Sequence, residues 1–441
     1  MITSAPVHVW LPGRPDPVLA GKFRHDSTTR TSLFQYAKTY LEAGNPPLAP
    51  DMPLRVRAVR NTGSHGVFPL FLDAGPDTWG RHLLTRRLGR DVTEIEALTL
   101  CPTDGVGNIA LGEITPERTR VLDIDEFRSI LDTVEAGGMA ASDLEEQVLD
   151  AVRNGTSLGG TKPKLTLTRA GVQYLAKFPG PGDRLWPPHI ECAMLKLAAT
   201  CGIRACEADV WRLPGGNHTA LLVKRFDRIT AAGDITRIGY VSAHALLSLD
   251  MNPATSADAL PYGNDGFMPS ELTNSYVSLA VDMARWCGDA QAHREERQEL
   301  WRRIAFNALI RNLDDHSRNH GLLCHDMARQ RWRLSPAFDL VPVAAPDREP
   351  ALSMAYRYVP PTRRGSPPSA PRLVTRIDRD DLLAAAVDLY GYEAAEAAAY
   401  LAQAAARVAG LWREFMRDEG TPAAEIERFA RTFEFAESLA G

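Results

Sequence analysis

The feature that most constrains this chain is a run of charge set between two segments that look buried. Residues 301–312 read WRRIAFNALIRN, and Trp301, Ile304, Ala305, Ala308 and Leu309 share one stripe at helical spacing. From Arg311 to Gly321 the chain then reads RNLDDHSRNHG, with two adjacent acids, two histidines and two asparagines, before the apolar pair Leu322-Leu323. A solvated loop fits this pattern, and so does an active-site loop.

A chain of 441 residues exceeds one ordinary domain, so two or three are expected. Hydrophobic content of 44% with 24% charged residues fits a soluble globular protein with a substantial core. The 50 basic against 55 acidic side chains leave a net charge of −5, no global sign of a nucleic-acid or membrane partner, though a local basic patch stays open. Cys101, Cys192, Cys201, Cys206, Cys287 and Cys324 are scattered, which fits reduced thiols in a cytosol. Cys201 and Cys206 have no second ligand pair nearby, so core thiols are expected and zinc is not. No run of about 18 apolar residues is present to span a membrane. The opening MITSAPVHVWLPG lacks a basic leader and reads as a strand ended by a Pro-Gly turn. The expectation is a cytoplasmic protein.

Along the chain, residues 1–115 carry short strand-like runs, VHVWL and VFPLFL among them, and a helix around 78–88 after Pro76-Asp77. After an acidic segment comes the Gly-rich NGTSLGGTKPK, then GVQYLAKF, an alternating strand, and TALLVKRF, a more deeply buried one, with a helix near 190–200 between them. From about Tyr240 the pattern is mostly helical, broken by an exposed Pro/Gly-rich loop at 359–372. The spacing predicts an α+β chain in three parts: a β-rich module over 1–115, a small lobe over 116–240 and a larger helical lobe over 241–441.

Two Gly-rich stretches resemble nucleotide motifs. In NGTSLGGTKPK, Gly155 and Gly160 have P-loop spacing, but Thr161 stands where the phosphate-binding lysine is needed, and Pro163 with LTLT sends the chain into a strand. A plain turn explains it; so does a Gly-rich loop that covers phosphates with backbone N–H groups, as in kinases. GVGNIA at 105–110 fits G-x-G-x-x-A only formally, since no helix follows.

Three later features add up. Lys177 is the one charge in an apolar strand; snorkelling to solvent is the usual reason, and reaching the α- and β-phosphates is the kinase reason. Asp314 and Asn319 have the D-x-x-x-x-N spacing of a kinase catalytic loop, where the carboxylate takes the proton of an attacking hydroxyl and the carboxamide oxygen is a hard ligand for Mg²⁺. Asp339, between Phe338 and Leu340, resembles the metal-holding Asp of a DFG element; an isolated capping aspartate is the alternative. Each is weak alone, but they occur in kinase order.

At these residues the sequence resembles the HipA family of toxin serine/threonine kinases, through TSLGGTKPKL, YLAKFPG, LLVKRFDR, NALIRNLDDHSRNHG and LSPAFDLVPV. VWLPG, PVLAGKF, DAGPDTWGRHLL and DGVGNIALGE resemble the module that precedes the kinase core there, so the likeness covers nearly the whole chain. It implies a two-lobed protein-kinase-like fold with an N-terminal β-rich subdomain, and ATP and Mg²⁺ as ligands. It implies further that Ser157, Gly159 and Gly160 lie in the nucleotide loop, that Lys177 meets the phosphates, and that Lys224 to Phe226 form the hinge whose backbone meets adenine. Asp314 would be the catalytic aspartate, His316 a positioning residue in the same loop, and Asn319 and Asp339 the magnesium ligands. Ser157 matches a position of autophosphorylation, where an added dianion would repel ATP and eject the loop; a turn serine is the plain alternative.

The resemblance also implies a substrate serine on an aminoacyl-tRNA synthetase, with translation arrest and persistence. It implies a small helix-turn-helix antitoxin as partner, operator DNA reached only through that complex, and no membrane. Arg311 and Leu313 depart from the pattern, which has smaller residues such as Gly and Thr there. Two other readings stand beside this one: a small-molecule kinase on the same scaffold, and a non-catalytic co-repressor, against which the retention of Lys177, Asp314, Asn319 and Asp339 argues.

Overall fold

The computed structural model describes the chain apart from residues 1, 62–65, 77–80, 82–83, 86–87, 102, 104, 116–120, 136–163, 180–186, 213–218, 232, 248–269, 345–349, 361–371 and 441. It opens with a five-stranded antiparallel sheet of order β4-β3-β2-β1-β5, built from β1 (Ile2–Val9), β2 (Val18–Asp26), β3 (Thr31–Tyr36), β4 (Val59–Asn61) and β5 (Ile109–Leu111). Alternation along β2 and β3 turns Phe23, Phe34 and Tyr36 inward, where Phe34 packs edge-on against Tyr36 and Phe71. VFPLFL, expected as a strand, is instead capped by a short helix, Pro69–Leu72. Pro69 takes the first helical position, where its missing N–H costs nothing, and Leu70 and Phe71 are buried beneath it.

A second five-stranded sheet has the order β6-β7-β8-β10-β9, from β6 (Leu122–Asp123), β7 (Lys164–Arg169), β8 (Val172–Lys177), β9 (Ala208–Arg212) and β10 (Thr219–Lys224). As expected after Pro163, the chain enters a strand at Lys164. β10 pairs on both sides, with β8 and β9, so Ala220, Leu221, Leu222 and Val223 are all buried, which is why TALLVKRF reads as a continuous apolar run. Helix α1 (Ile124–Glu135) follows β6, and α2 (Pro187–Thr200) packs across the sheet.

After a hairpin of β11 (Arg228–Ala231) and β12 (Asp234–Arg237) comes the helical lobe, with a small sheet of β13 (Tyr240–Ser242), β14 (Gly321–Asp326) and β15 (Arg331–Leu334) at its top. Its central helix α3 (Ala290–Leu309) buries the whole predicted stripe, Trp301, Ile304, Ala305, Ala308 and Leu309, without residual exposure. α4 (Ala394–Asp418) runs along it and along α2. No helix among the described residues is long and apolar enough to cross a membrane, and all six cysteines are buried free thiols.

Candidate functional site

Helix α3 ends in a way that creates the charged loop. Asn312 N–H donates to Asn307 O (2.9 Å) and Arg311 N–H to Ala308 O (3.3 Å), the paired bonds of a Schellman stop. Such a stop needs a left-handed residue, and Arg311 supplies it with φ of 50°. Glycine takes this conformation without a Cβ penalty, so Arg311 accepts a strain that glycine avoids.

Beyond the stop, the two neighbouring acids separate. Asp315 is buried, and its Oδ2 accepts from Asn307 Nδ2 (2.8 Å), from His320 Nε2 (2.8 Å) and from the Tyr276 hydroxyl. It holds the loop to α3 and to the following strand. Asp314 is exposed, with its carboxylate on the solvent side of the turn. Residues Ser317–Asn319 make one turn of 3₁₀-helix, with Asn319 buried and His316 half-buried beside it. Gly321 must be glycine because a Cβ there would lie 2.3 Å from the Tyr240 ring.

Lys177, at the end of β8, is the ion that gathers the site. Its ammonium donates to Glu191 Oε1 at 2.7 Å, from α2, and to Asp339 Oδ1 at 3.0 Å. Burial works against the charged ammonium, but Asp339 and then Glu191 outweigh it and push its pKa up. The Lys177 ammonium in turn holds the Asp339 carboxyl below the ordinary carboxylate range, against burial, with smaller help from Lys164 and His316. Asp339 has a left-handed backbone, φ of 59°, and keeps 42% of its side chain exposed. Asn312 Nδ2 reaches both Asn307 Oδ1 (3.1 Å) and Asp339 O (3.4 Å), so one carboxamide ties the charged loop to the Asp339 segment.

The segment after β10 reaches the Asp339 segment through Phe226, beside Phe338. The backbone N–H of Lys224 goes to Glu207 O (2.9 Å) and that of Arg225 to Gln173 O (3.0 Å), while the Lys224 ammonium pairs with Glu207 at 2.9 Å, away from the site. The Phe226 ring lies 5.7 Å from both Tyr240 and Phe338. Ser157, Gly159 and Gly160 fall outside the described residues.

Lys177 and Asp339 are thus brought into direct contact, with Phe226 beside Phe338 and the Asp314–Asn319 loop bound through Asn312. Sequence reading missed Glu191, whose only signal is a lone acid in the apolar HIECAML. It also missed Asn307 and Asn312, polar residues at the end of an apolar helix. The chemistry of the donors fits Mg²⁺: a carboxylate and a carboxamide oxygen, a hard set that magnesium completes with phosphates and water. Among the described residues no cluster of three His, Cys, Asp or Glu is placed to hold a metal by protein groups alone.

Residues 7–112 match the HipA N-terminal domain family, and residues 156–412 match the HipA-like C-terminal domain family. The chain belongs to the HipA family. Among solved structures, Shewanella oneidensis HipA, from its complex with HipB and operator DNA, is similar with a TM-score of 0.65 at 19% identity, covering 99% of this chain and 96% of that one. The Helicobacter pylori proinflammatory kinase CtkA matches more loosely, with a TM-score of 0.39 at 13% identity over 64% of this chain and 89% of that one. No curated protein matches the chain in sequence. The two-lobed kinase-like fold of HipA and its N-terminal β-rich module accordingly describe this chain.

Proposed function

We infer that this HipA-family chain is an ATP- and Mg²⁺-dependent protein-serine/threonine kinase acting as the toxin of a toxin–antitoxin pair. The observation that carries the reading is Lys177, held between Glu191 and Asp339, with the Asn312 carboxamide tying Asp339 to the loop that bears Asp314 and Asn319. A half-buried ammonium kept charged by two carboxylates is a fixed positive point for phosphate oxygens, and phosphoryl transfer depends mainly on such positioning and charge stabilisation.

In this reading Lys177 orients the α- and β-phosphates, and Glu191 fixes Lys177. Asp339 and Asn319 would hold magnesium, which supplies neutralisation of phosphate charge. The serine hydroxyl oxygen attacks the γ-phosphorus, the bond to the β–γ bridging oxygen breaks, and ADP leaves. Asp314, free on the solvent side, takes the hydroxyl proton. His316 steadies the turn that carries Asp314. Adenine lies against the Lys224–Phe226 backbone, Gly159 and Gly160 cover the phosphates, and Ser157 is a site of autophosphorylation that switches the enzyme off.

The likeness to a HipA bound to HipB and operator DNA supports a small helix-turn-helix antitoxin as partner, with DNA met through it. The protein substrate in this reading is an aminoacyl-tRNA synthetase in the cytoplasm, whose modification arrests translation. The test is incubation of the protein with ATP, Mg²⁺ and a lysate of its host, followed by phosphopeptide sequencing. A new phosphoserine on a synthetase, and one at Ser157, is the expected result; unlabelled protein with a labelled small molecule would replace the protein-kinase reading by the small-molecule one.

A further inference from the structure

The formal G-x-G-x-x-A match at 105–110 has a use that is not dinucleotide binding. It forms a turn leading into β5, and it is the place where the N-terminal module touches the hinge. Asp227, one residue past Phe226, accepts at Oδ2 from Gly107 N–H (2.7 Å), Arg225 Nη2 (2.8 Å) and Arg228 Nη1 (2.6 Å). The two guanidinium groups then reach back to the turn: Arg225 Nη2 and Arg228 Nη2 each donate to Gly105 O at 2.9 Å, and Arg228 Nη1 to Gly107 O at 3.0 Å. Arg225 Nη1 also donates to Thr166 Oγ1 of β7 (3.0 Å), on the strand that follows the Gly-rich segment.

All three charged side chains are at most 8% exposed. Burial opposes the Asp227 carboxylate, yet Arg225 and Arg228 outweigh it and hold its pKa well below the ordinary range. The turn is built for this approach: Gly107 has φ of 86°, and a Cβ there would lie 3.2 Å from Tyr240 N. Asn108 fastens the turn to β1 through Nδ2 to Trp10 O (3.0 Å), and Arg237 stacks 3.5 Å over the Trp10 ring while donating to Thr103 O.

We propose that the N-terminal module is part of the nucleotide site, with Arg225, Asp227 and Arg228 as positioning residues that fix the hinge from the Gly105–Asn108 turn. Phe226 lies between two residues whose side chains are both anchored to that turn, so its backbone and ring are set from the N-terminal side. A glue with no positioning role would need only contact area. This cluster spends its bonds on backbone groups of one turn and on β7, the strand that follows the Gly-rich segment in sequence. A partner that moves the N-terminal module would change nucleotide affinity through these residues, and bound nucleotide would change partner affinity by the same factor.

This inference rests on the kinase reading, and two measurements on the full chain separate the two. Arg228→Lys keeps the charge and loses the fork to Gly105 and Gly107; Thr166→Val removes one bond and leaves the triad. Hydrogen exchange of the free protein should show faster exchange at 224–228 and 105–108 in Arg228→Lys, and ATP should bind about tenfold more weakly. Phosphate transfer at saturating ATP should stay within about threefold of the parent, because the phosphate-end residues are untouched. Thr166→Val should give the same signs, smaller. Folded variants with parent-like hinge exchange, or with parent-like ATP affinity, would overturn the positioning role. Failure of the kinase reading shows earlier, in a parent chain that binds no ATP.

Discussion

The two ends of the proposed nucleotide site treat charge in opposite ways. At the hinge end, Asp227 is 3% exposed and its carboxylate accepts from two arginines and a backbone N–H. At the phosphate end, Asp339 shares Lys177 with Glu191 yet leaves 42% of its side chain open to solvent. Asp315 and Asp314 repeat the contrast within two residues, the first accepting three hydrogen bonds in the core and the second facing outward. A closed cluster stabilises structure, because each member is a buried group that would be costly without its partners. An open one keeps capacity for a ligand.

Breaking the open end should cost activity and spare the fold. Asp339→Asn is expected to lower phosphate transfer by at least about 10³-fold, with the melting temperature changed by no more than about 3 °C. Parallel transfer assays and calorimetry check this, and a comparable loss of stability would erase the contrast. Breaking a closed cluster should cost the fold: Asp315→Ala leaves Tyr276, Asn307 and His320 without their common acceptor, and is expected to cost about 3 kcal/mol in denaturant unfolding.

A third carboxylate sharpens the comparison through pH. Asp73 joins the N-terminal module to the helical lobe, accepting from Ser242 N–H (2.6 Å) and Ser242 Oγ (2.7 Å). Burial pushes its pKa up to about 6, against those two bonds. A raised carboxyl pKa gives stability that is present below the unfolded value near 4 and lost as pH rises through 6, on the order of 2 kcal/mol. Melting temperature is expected to rise as pH falls from about 6 to 4, and Asp73→Asn should flatten that rise; an unchanged slope would assign the dependence to other groups. The smallest effect expected is at the helix stop. Arg311→Gly should relieve the left-handed strain and stabilise the chain by about 1 kcal/mol or less.

Much of this was legible in sequence, and for definite reasons. Period-3.6 spacing placed the α3 stripe, and unbroken apolar character marked β10 as a strand paired on both sides. D-x-x-x-x-N and the apolar-flanked Asp339 are local patterns, so they could be read in one dimension. VFPLFL was misread because apolar content alone does not separate a strand from a buried helical turn, and Pro69 at the first helical position decided it. Glu191 was not legible because its role depends on α2 packing across the sheet to meet Lys177, a contact set by tertiary structure. GVGNIA carried a misleading pattern: its glycines serve a tight turn against the hinge, and nothing local to 105–110 names Asp227 as the partner.

The central claim, that the open charges at the phosphate end perform phosphoryl transfer, is tested most directly by incubating parent and Asp314→Asn proteins with γ-labelled ATP and Mg²⁺ and measuring label on protein serine. Labelled parent and an unlabelled, fully folded Asp314→Asn variant with unchanged melting temperature is the predicted result. Equal labelling of the two proteins would contradict the account.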